Sequence, residues 1–537
     1  MVKKENINMK KSDLLILLTI CLSGCTSNAT AFNVRKTQNA INPITKTEIK
    51  QTYKDYYEHS PYNSGQTPTK GDVNILVIPV WFLDTYTTYN IDSLTRYGLL
   101  EGVEKAFFGT KEELGCDSVK SFYETESHGA LTLNGKVTQW FECEHFSWEF
   151  SSGGSESKLV PEAVEWYFEN NPDDDRLKYD SDKDGYLDGV CLIYSMPNYM
   201  HSGSEITNFW AHRNSVCNAS LKDINNPGPN SYMWASWDYV YSSGYGLASE
   251  GIGYGETTWS KYDTHTYIHE FGHMLGVPDY YDYNDTQRRP AGGFSMQDMN
   301  VGGHDPYSVM AFGWADPYIP KESCTLKIGA FQSTHDIILL TPNWNEYDSV
   351  FDEYLLLELY TPTGLNEFDS KHPYRSSQLI GESYPSGPSN TGIRLWHVDA
   401  RLTQRIDNGE YSIPRYSWSN NLTSDATLSN VHEAISNTHY LEGGDKNDHC
   451  SVLGSEYYNF EFLQLIYRDV DSDDLLPIFF EGFCFDVNHS FTVSQYQDRF
   501  ANPGKFDNNI DIGWSFIVDS IEGEGNDAVA TVRLIKE

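Results

Sequence analysis

His269-Glu270-Phe271-Gly272-His273-Met274-Leu275-Gly276-Val277-Pro278-Asp279 is the stretch that decides how this chain is read. Two histidines four positions apart, the first followed directly by a glutamate, have the spacing of a zinc site that carries its own base. In an α-helix, positions i and i+4 share a face, so one metal can take both imidazoles. Glu270 lies about 100° further round, beside the metal and not on it, where it can act as a base. Gly276 can enter the left-handed conformation that ends a helix, and Pro278 keeps the helix from resuming. The chain therefore turns where a third ligand is needed, and Asp279 is the first ligand-type side chain after the turn. The bland alternative is a buried helix with two hydrogen-bonded histidines. A structural zinc site would be closed by four protein ligands and would not need Glu270. The pattern predicts a zinc hydrolase.

Bulk properties narrow the setting. A chain of 537 residues exceeds one hydrophobic core, so two or more domains are expected. Hydrophobic residues at 39% and aromatics at 14% suffice for globular folding. A formal charge of -38 argues against nucleic acid or an anionic membrane surface as partner, and it suits divalent cations. At the start, Lys3, Lys4, Lys10 and Lys11 precede an apolar run at 14–22 and then Ser23-Gly24-Cys25. Residues 1–25 read as an export signal, too short for a comfortable membrane span. Leu22-Ser23-Gly24-Cys25 resembles the lipobox of bacterial lipoproteins. That resemblance implies a lipidated Cys25 as the mature N-terminus, and membrane contact only through this anchor. The expected location is the cell envelope, facing outward at the cell surface or periplasm, with ordinary secretion as the alternative. Of nine cysteines, Cys116, Cys143, Cys191, Cys217, Cys324, Cys450 and Cys484 follow Cys25 without paired metal spacing, and one disulfide is possible.

Residues 26–70 are Asn-, Thr-, Ser-, Gln- and Lys-rich and read as a tether or short pro-segment. Order is expected from the apolar run at 74–80, a buried strand. Helices are expected at 117–127 and 157–169, and strands at 131–137 and 189–194. An edge strand is expected at 234–241, and the histidine helix at 264–275. This describes a mixed α/β (α+β) catalytic domain over residues 71–316. Beyond Pro317, short strands separated by turn residues (353–359, 392–398, 460–468, 513–518 and 528–534) predict a β-rich, sandwich-like domain over 317–537.

A second loop carries metal-type spacing. Asp180, Asp182, Asp184 and Asp188 occupy positions 1, 3, 5 and 9 of a loop with Gly185 at position 6. Alternating oxygens of this kind wrap a hard cation, with the Tyr186 carbonyl as the ligand at position 7. Cys191 stands where an EF-hand needs its bidentate glutamate, so the loop leads into a strand and predicts a structural calcium site. A solvated acidic turn is the alternative.

Taken together, HEFGHMLGVPDYYD (269–282), GDVNILVIPVWFLD (71–84), SVKSFYETESHGALTLNGKV (118–137), DSDKDGYLDGV (180–190) with FWAHR (209–213), EYLLLELY (353–360) and GIRLWHVD (392–399) carry a likeness. Over roughly residues 71–537 the chain resembles the immune inhibitor A family of secreted zinc metallopeptidases, relatives of the metzincins. The resemblance implies a metzincin-like catalytic domain, with an HExxHxxGxxD active-site helix, followed by a β-rich domain. It implies that His269, His273 and Asp279 ligate zinc and that Glu270 is the catalytic base. Relatives carry a methionine-bearing turn beneath the metal. Met296 and Met299 both qualify here, and Met296 is taken for the role. The pro-region is shorter than is usual in that family.

His265 lies on the same helical stripe as His269 and His273. One helix cannot bring all three to one metal, because the outer pair is separated by about 12 Å of rise. His265 is therefore expected to support the site. His304 and Tyr307 are candidates for stabilising an oxyanion. The expected activity is zinc-dependent endopeptidase cleavage of extracellular protein or peptide substrates, with Zn2+ catalytic and Ca2+ structural. Two alternatives stay open: a catalytically lapsed surface lipoprotein acting as adhesin or binding module, and a zinc hydrolase of non-peptide substrates.

Overall fold

Strand β1 (Gly71–Trp81) is buried almost throughout, because it lies inside a sheet covered on both faces. The computed structural model describes residues 44–58, 65–86, 93–198, 208–240, 262–281, 291–371, 387–404, 431–433, 462–466, 477–486, 504–506 and 508–537. The export segment with Cys25, and Cys450, lie outside these residues. The first sheet also contains β2 (Leu131–Val137), β3 (Phe141–Glu142), β4 (Val190–Tyr194), β5 (His212–Ser215) and β6 (Ser231–Ser236). Its order is β2-β1-β4-β6-β5, with β3 beside β1; only β5 runs antiparallel.

Alternation along β1 shows why its sequence is apolar at every step. Val73, Ile75 and Val77 enter one core with Val103 and Phe107 of α1 (Ser93–Phe108) and Val119 and Tyr123 of α2 (Val119–Glu126). Leu76, Ile78 and Val80 face the opposite way, onto Val160, Ala163 and Val164 of α3 (Leu159–Asn170). A largely parallel sheet buried on both sides needs such a continuous run. Helix α4 (His265–Leu275) adds Tyr267, Ile268, Phe271, Met274 and Leu275 to the first core.

The rest of the described chain is mostly antiparallel β-structure. One four-stranded sheet has the order β13-β10-β9-β8, formed by β8 (Ile338–Leu340), β9 (Glu353–Tyr360), β10 (Gly392–Asp399) and β13 (Leu463–Ile466). The other, β14-β15-β16-β7, combines β7 (Cys324–Gly329), β14 (Cys484–Phe485), β15 (Trp514–Glu522) and β16 (Val529–Lys536). A two-stranded pair joins β11 (Leu402–Gln404) and β12 (Val431–Glu433). Leu355, Leu357 and Leu359 of β9 share a core with Phe516 and Val518 of β15 and Val532 of β16. Tyr354 and Leu356, on the other face of β9, belong to the core of α4. EYLLLELY is apolar because both of its faces are covered.

Three expectations need correction. Ser231–Ser236 (β6) is an inner strand between β4 and β5, and Trp237–Val240 is a 3-10 turn; the edge belongs to β5. The polar sequence His-Arg-Asn-Ser of β5 gave no strand signal, so its neighbour was taken for the edge. Residues 44–58, expected within a tether or pro-segment, pack into the fold: Tyr53 is buried between Tyr307 and Phe351, and Gln51 bridges Ser349. The possible disulfide does not form among the described cysteines, Cys116, Cys143, Cys191, Cys217, Cys324 and Cys484. From Pro43 to Glu537 the chain is one compact unit. No helix among the described residues is long and apolar enough to cross a membrane.

Candidate metal centre

Helix α4 ends where the sequence predicts. Gly276 has φ 121°, and its amide closes on the Gly272 and His273 carbonyls, so the last turn is capped by a residue that tolerates positive φ. The following segment is pinned: the Tyr280 amide donates to the Gln297 carbonyl at 2.8 Å, and the Tyr280 hydroxyl lies 2.7 Å from Ser308 Oγ. These bonds bring Asp279 back over the helix.

The ring tautomers follow from simple accounting. His269 Nδ1 is 2.8 Å from the Met296 carbonyl, and His273 Nδ1 is 2.7 Å from the Val277 carbonyl. A carbonyl can only accept, so both Nδ1 atoms carry hydrogen, and in neutral rings both Nε2 atoms present lone pairs. The two Nε2 atoms are 3.1 Å apart, and Asp279 Oδ1 is 2.8 Å from the first and 3.2 Å from the second. A proton can satisfy one pair of these acceptors; a cation at the centre satisfies all three. Tetrahedral zinc with bonds of about 2.0–2.1 Å spaces its ligand atoms by roughly 3.3 Å. The observed triangle, with sides of 2.8, 3.1 and 3.2 Å, is slightly smaller.

Charge in the triangle behaves accordingly. Burial opposes a charged His273, but Asp279 and Glu270 outweigh it and raise the imidazole to about 9. Asp279 is held well below the usual carboxylate range, against burial, by His273 and His269. Glu270 is 6% exposed, and its Oε2 has no hydrogen-bond partner. Burial pushes its carboxyl above the ordinary value, with His273 and His269 pulling the other way. A carboxylate buried without a donor is costly, and it is the kind of exception that marks a functional group.

Met296 opens the short helix α5 (Met296–Met299); it is buried and supplies the carbonyl that orients His269. Met299 is only partly buried. Two supports give no signal in sequence. Gly272 lets Gln297 approach so closely that a Cβ would sit 2.4 Å from its Oε1. The Tyr123 hydroxyl, on α2, donates to the Ile268 carbonyl at 2.6 Å.

His265 is not part of the triangle. Its Nδ1 meets Asp263 Oδ1 at 2.8 Å, and its Nε2 meets Asp369 Oδ1 at 3.2 Å, on helix α7 (Glu367–Lys371), which follows α6 (Pro306–Ala311). His304 and Tyr307 do not line an open site. The His304 ring packs among Phe122, Tyr123 and Phe312, and the Tyr307 hydroxyl donates to Tyr53. The oxyanion role expected for them is withdrawn, because both side chains are enclosed in the core.

In the acidic loop, one oxygen each from Asp180, Asp182 and Asp188 lies within 4.8 Å of the others. Asp184 Oδ1 instead accepts the Tyr186 amide at 2.8 Å, which bends the loop onto itself. Gly185 takes φ 91° at the turn. Burial, with Asp182 and Asp180 alongside, pushes Asp188 up to about 8 despite two hydrogen bonds from Ser181. Calcium–oxygen bonds of about 2.3–2.6 Å suit carboxylate oxygens at this spacing. A cavity of about 800 Å³ borders Asp182, Asp184, Gln66, Thr67 and Leu275 and does not include the histidine triangle. The ligand geometry, and not cavity size, therefore locates the chemistry. No protein-family model matches this chain, and no curated protein matches it.

Proposed function

We propose that the chain is a zinc-dependent endopeptidase with a metzincin-like catalytic region followed by a sandwich-like β region, of the immune inhibitor A type. The observation that carries this reading is the triangle of His269 Nε2, His273 Nε2 and Asp279 Oδ1 at 2.8–3.2 Å, with Glu270 unpaired beside it. Zinc held there would supply a Lewis acid and a water acidified to near neutral pH. Glu270 takes the proton of the attacking water and passes it to the leaving amine. The Met296 and Val277 carbonyls hold both imidazoles in the ligating tautomer, which fixes ring orientation and raises ligand basicity. Among the described residues β5 is the outer strand beside β6, and an outer strand is where an extended peptide can add. Peptide is therefore the substrate class proposed.

Calcium at Asp180, Asp182 and Asp188 is the companion proposal, and lipid attachment at Cys25 on an outward-facing membrane is the proposed setting. The decisive experiment measures metal content and cleavage of a test protein such as casein, with N-terminal sequencing of the fragments. One zinc per chain and chelator-sensitive cleavage restored by zinc are expected. Glu270→Gln should keep its zinc and lose about 100-fold or more in cleavage rate. A zinc-loaded wild type with no cleavage would favour a lapsed binding module instead.

A further inference from the structure

Thr67 touches both metal-type sites at once. Its hydroxyl donates to the Asp188 carbonyl at 2.5 Å, and its amide donates to the Met274 carbonyl at 3.1 Å. Met274 lies in the last turn of α4, whose carbonyls have no partner within the helix, so Thr67 supplies a missing cap. Gln66, one residue earlier, directs Nε2 towards the His273 carbonyl at 3.5 Å and accepts a hydrogen bond from Arg213 of β5. The packing is tight: a Cβ on Gly189 would stand 3.0 Å from Met274 Cε and 3.2 Å from Thr67 Oγ1. Thr67 and Asp188 are both 2% exposed. Motion at the ninth position of the acidic loop therefore has little slack before it reaches the zinc helix.

The acidic loop has its own mark of a missing ligand. Asp180 is 4% exposed; its Oδ2 accepts the Gly185 amide at 3.1 Å, and its Oδ1 has no partner. A buried carboxylate oxygen without a donor, grouped with oxygens of Asp182 and Asp188, fits a hard divalent cation. Such a cation would draw the three carboxyl groups to a common point, and with them the backbone at Asp188.

We propose that a calcium-type cation held by Asp180, Asp182 and Asp188 tightens the zinc site through Thr67, which acts as a positioning residue. The proposal rests on the zinc reading of His269, His273 and Asp279. Occupancy fixes the Asp188 carbonyl, Thr67 stays seated on it, and the capped Met274 carbonyl keeps the Gly276 turn and Asp279 in place. Coupling between ligand sites is reciprocal, so zinc must favour the cation by the same factor.

The test is binding, independent of cleavage. Zinc affinity of the metal-stripped full chain is measured by competition with a chromophoric zinc chelator, with and without saturating calcium chloride. Calcium binding is measured by calorimetry on the zinc-free and zinc-loaded protein. Calcium should raise zinc affinity by about 5- to 150-fold. Thr67→Val should bring this ratio close to one while zinc affinity without calcium changes little, and Thr67→Ser, which keeps the hydroxyl, should restore it. Calcium binding with unchanged zinc affinity, or full coupling in Thr67→Val, would overturn the coupling alone. Absence of calcium binding would overturn the loop assignment with it, and absence of zinc binding would overturn the reading on which it rests.

Discussion

Replacing His265 with alanine tests how the start of helix α4 is held. His265 is the first residue of α4, where the helix dipole disfavours a positive charge. Both ring nitrogens nevertheless face carboxylates, Asp263 at 2.8 Å and Asp369 at 3.2 Å, and side-chain exposure is only 10%. Ionised carboxylates only accept, so the ring carries two hydrogens and is an imidazolium. Burial opposes that charge, but Asp369 and Asp263 outweigh it and raise the group from 6.5 to about 10. This interval converts to at most about 5 kcal/mol, and removing one partner of a buried pair costs about 3–5 kcal/mol. His265→Ala should therefore lose about 3–5 kcal/mol in urea unfolding at pH 6. Because the folded value is raised, the contribution is fully present below the unfolded pKa near 6.5. It is lost as pH rises to about 10, so the gap between wild type and variant should shrink across that window. Adding Asp263→Asn and Asp369→Asn should recover much of the loss by removing the stranded charges. Bound zinc should remain. A loss below about 1 kcal/mol, or a gap that widens towards pH 10, would refute the argument.

Gly272→Ala gains about 1 kcal/mol of helix propensity. It also drives a Cβ to 2.4 Å from Oε1 of Gln297, a fully buried side chain whose Nε2 donates to the His269 carbonyl. A net loss of about 1–3 kcal/mol in urea unfolding and weaker zinc binding are expected, and a more stable variant would exclude the clash. Leu356→Ala and Leu357→Ala probe the two faces of β9, one towards the α4 core and one towards the β15–β16 core. Each should cost about 2–5 kcal/mol within a single calorimetric transition that zinc shifts upward. Two transitions, with only one responsive to zinc, would show that the β region folds independently.

Features written in short-range chemistry could be read from sequence. The i, i+4 histidines and the Gly276–Pro278 break define a helix and its end within a dozen residues, and the structure brings the next carboxylate, Asp279, onto the same point. Strands β1, β4 and β9 were legible because burial on both faces leaves an unbroken apolar run. What escaped depends on distant partners. Asp369 clamps His265 from 104 positions away, and nothing near either residue announces the pair. Strand β5 is polar because it lies at the edge, so its sequence resembles a loop. The segment around Tyr53 is mostly polar, and among its described side chains the buried Tyr53 ring and the partly buried Ile44 and Ile49 anchor it in the cores.

Helix α4 is held by different devices along its length, and together they account for its one anomaly. An ion clamp fixes its start, the Tyr123 hydroxyl and Met296 carbonyl hold its middle, and Thr67 with the Gly276 turn closes its end. Every histidine on the helix is thereby fully engaged through its ring nitrogens. Glu270, between two of them, keeps a buried oxygen without a donor. In a loosely held helix this carboxylate would rotate to water or find a partner, since leaving it unsatisfied costs about 1–3 kcal/mol or more. It persists because the surrounding contacts over-determine the helix, and the role of base proposed for Glu270, which must wait for its proton donor, requires such a frame.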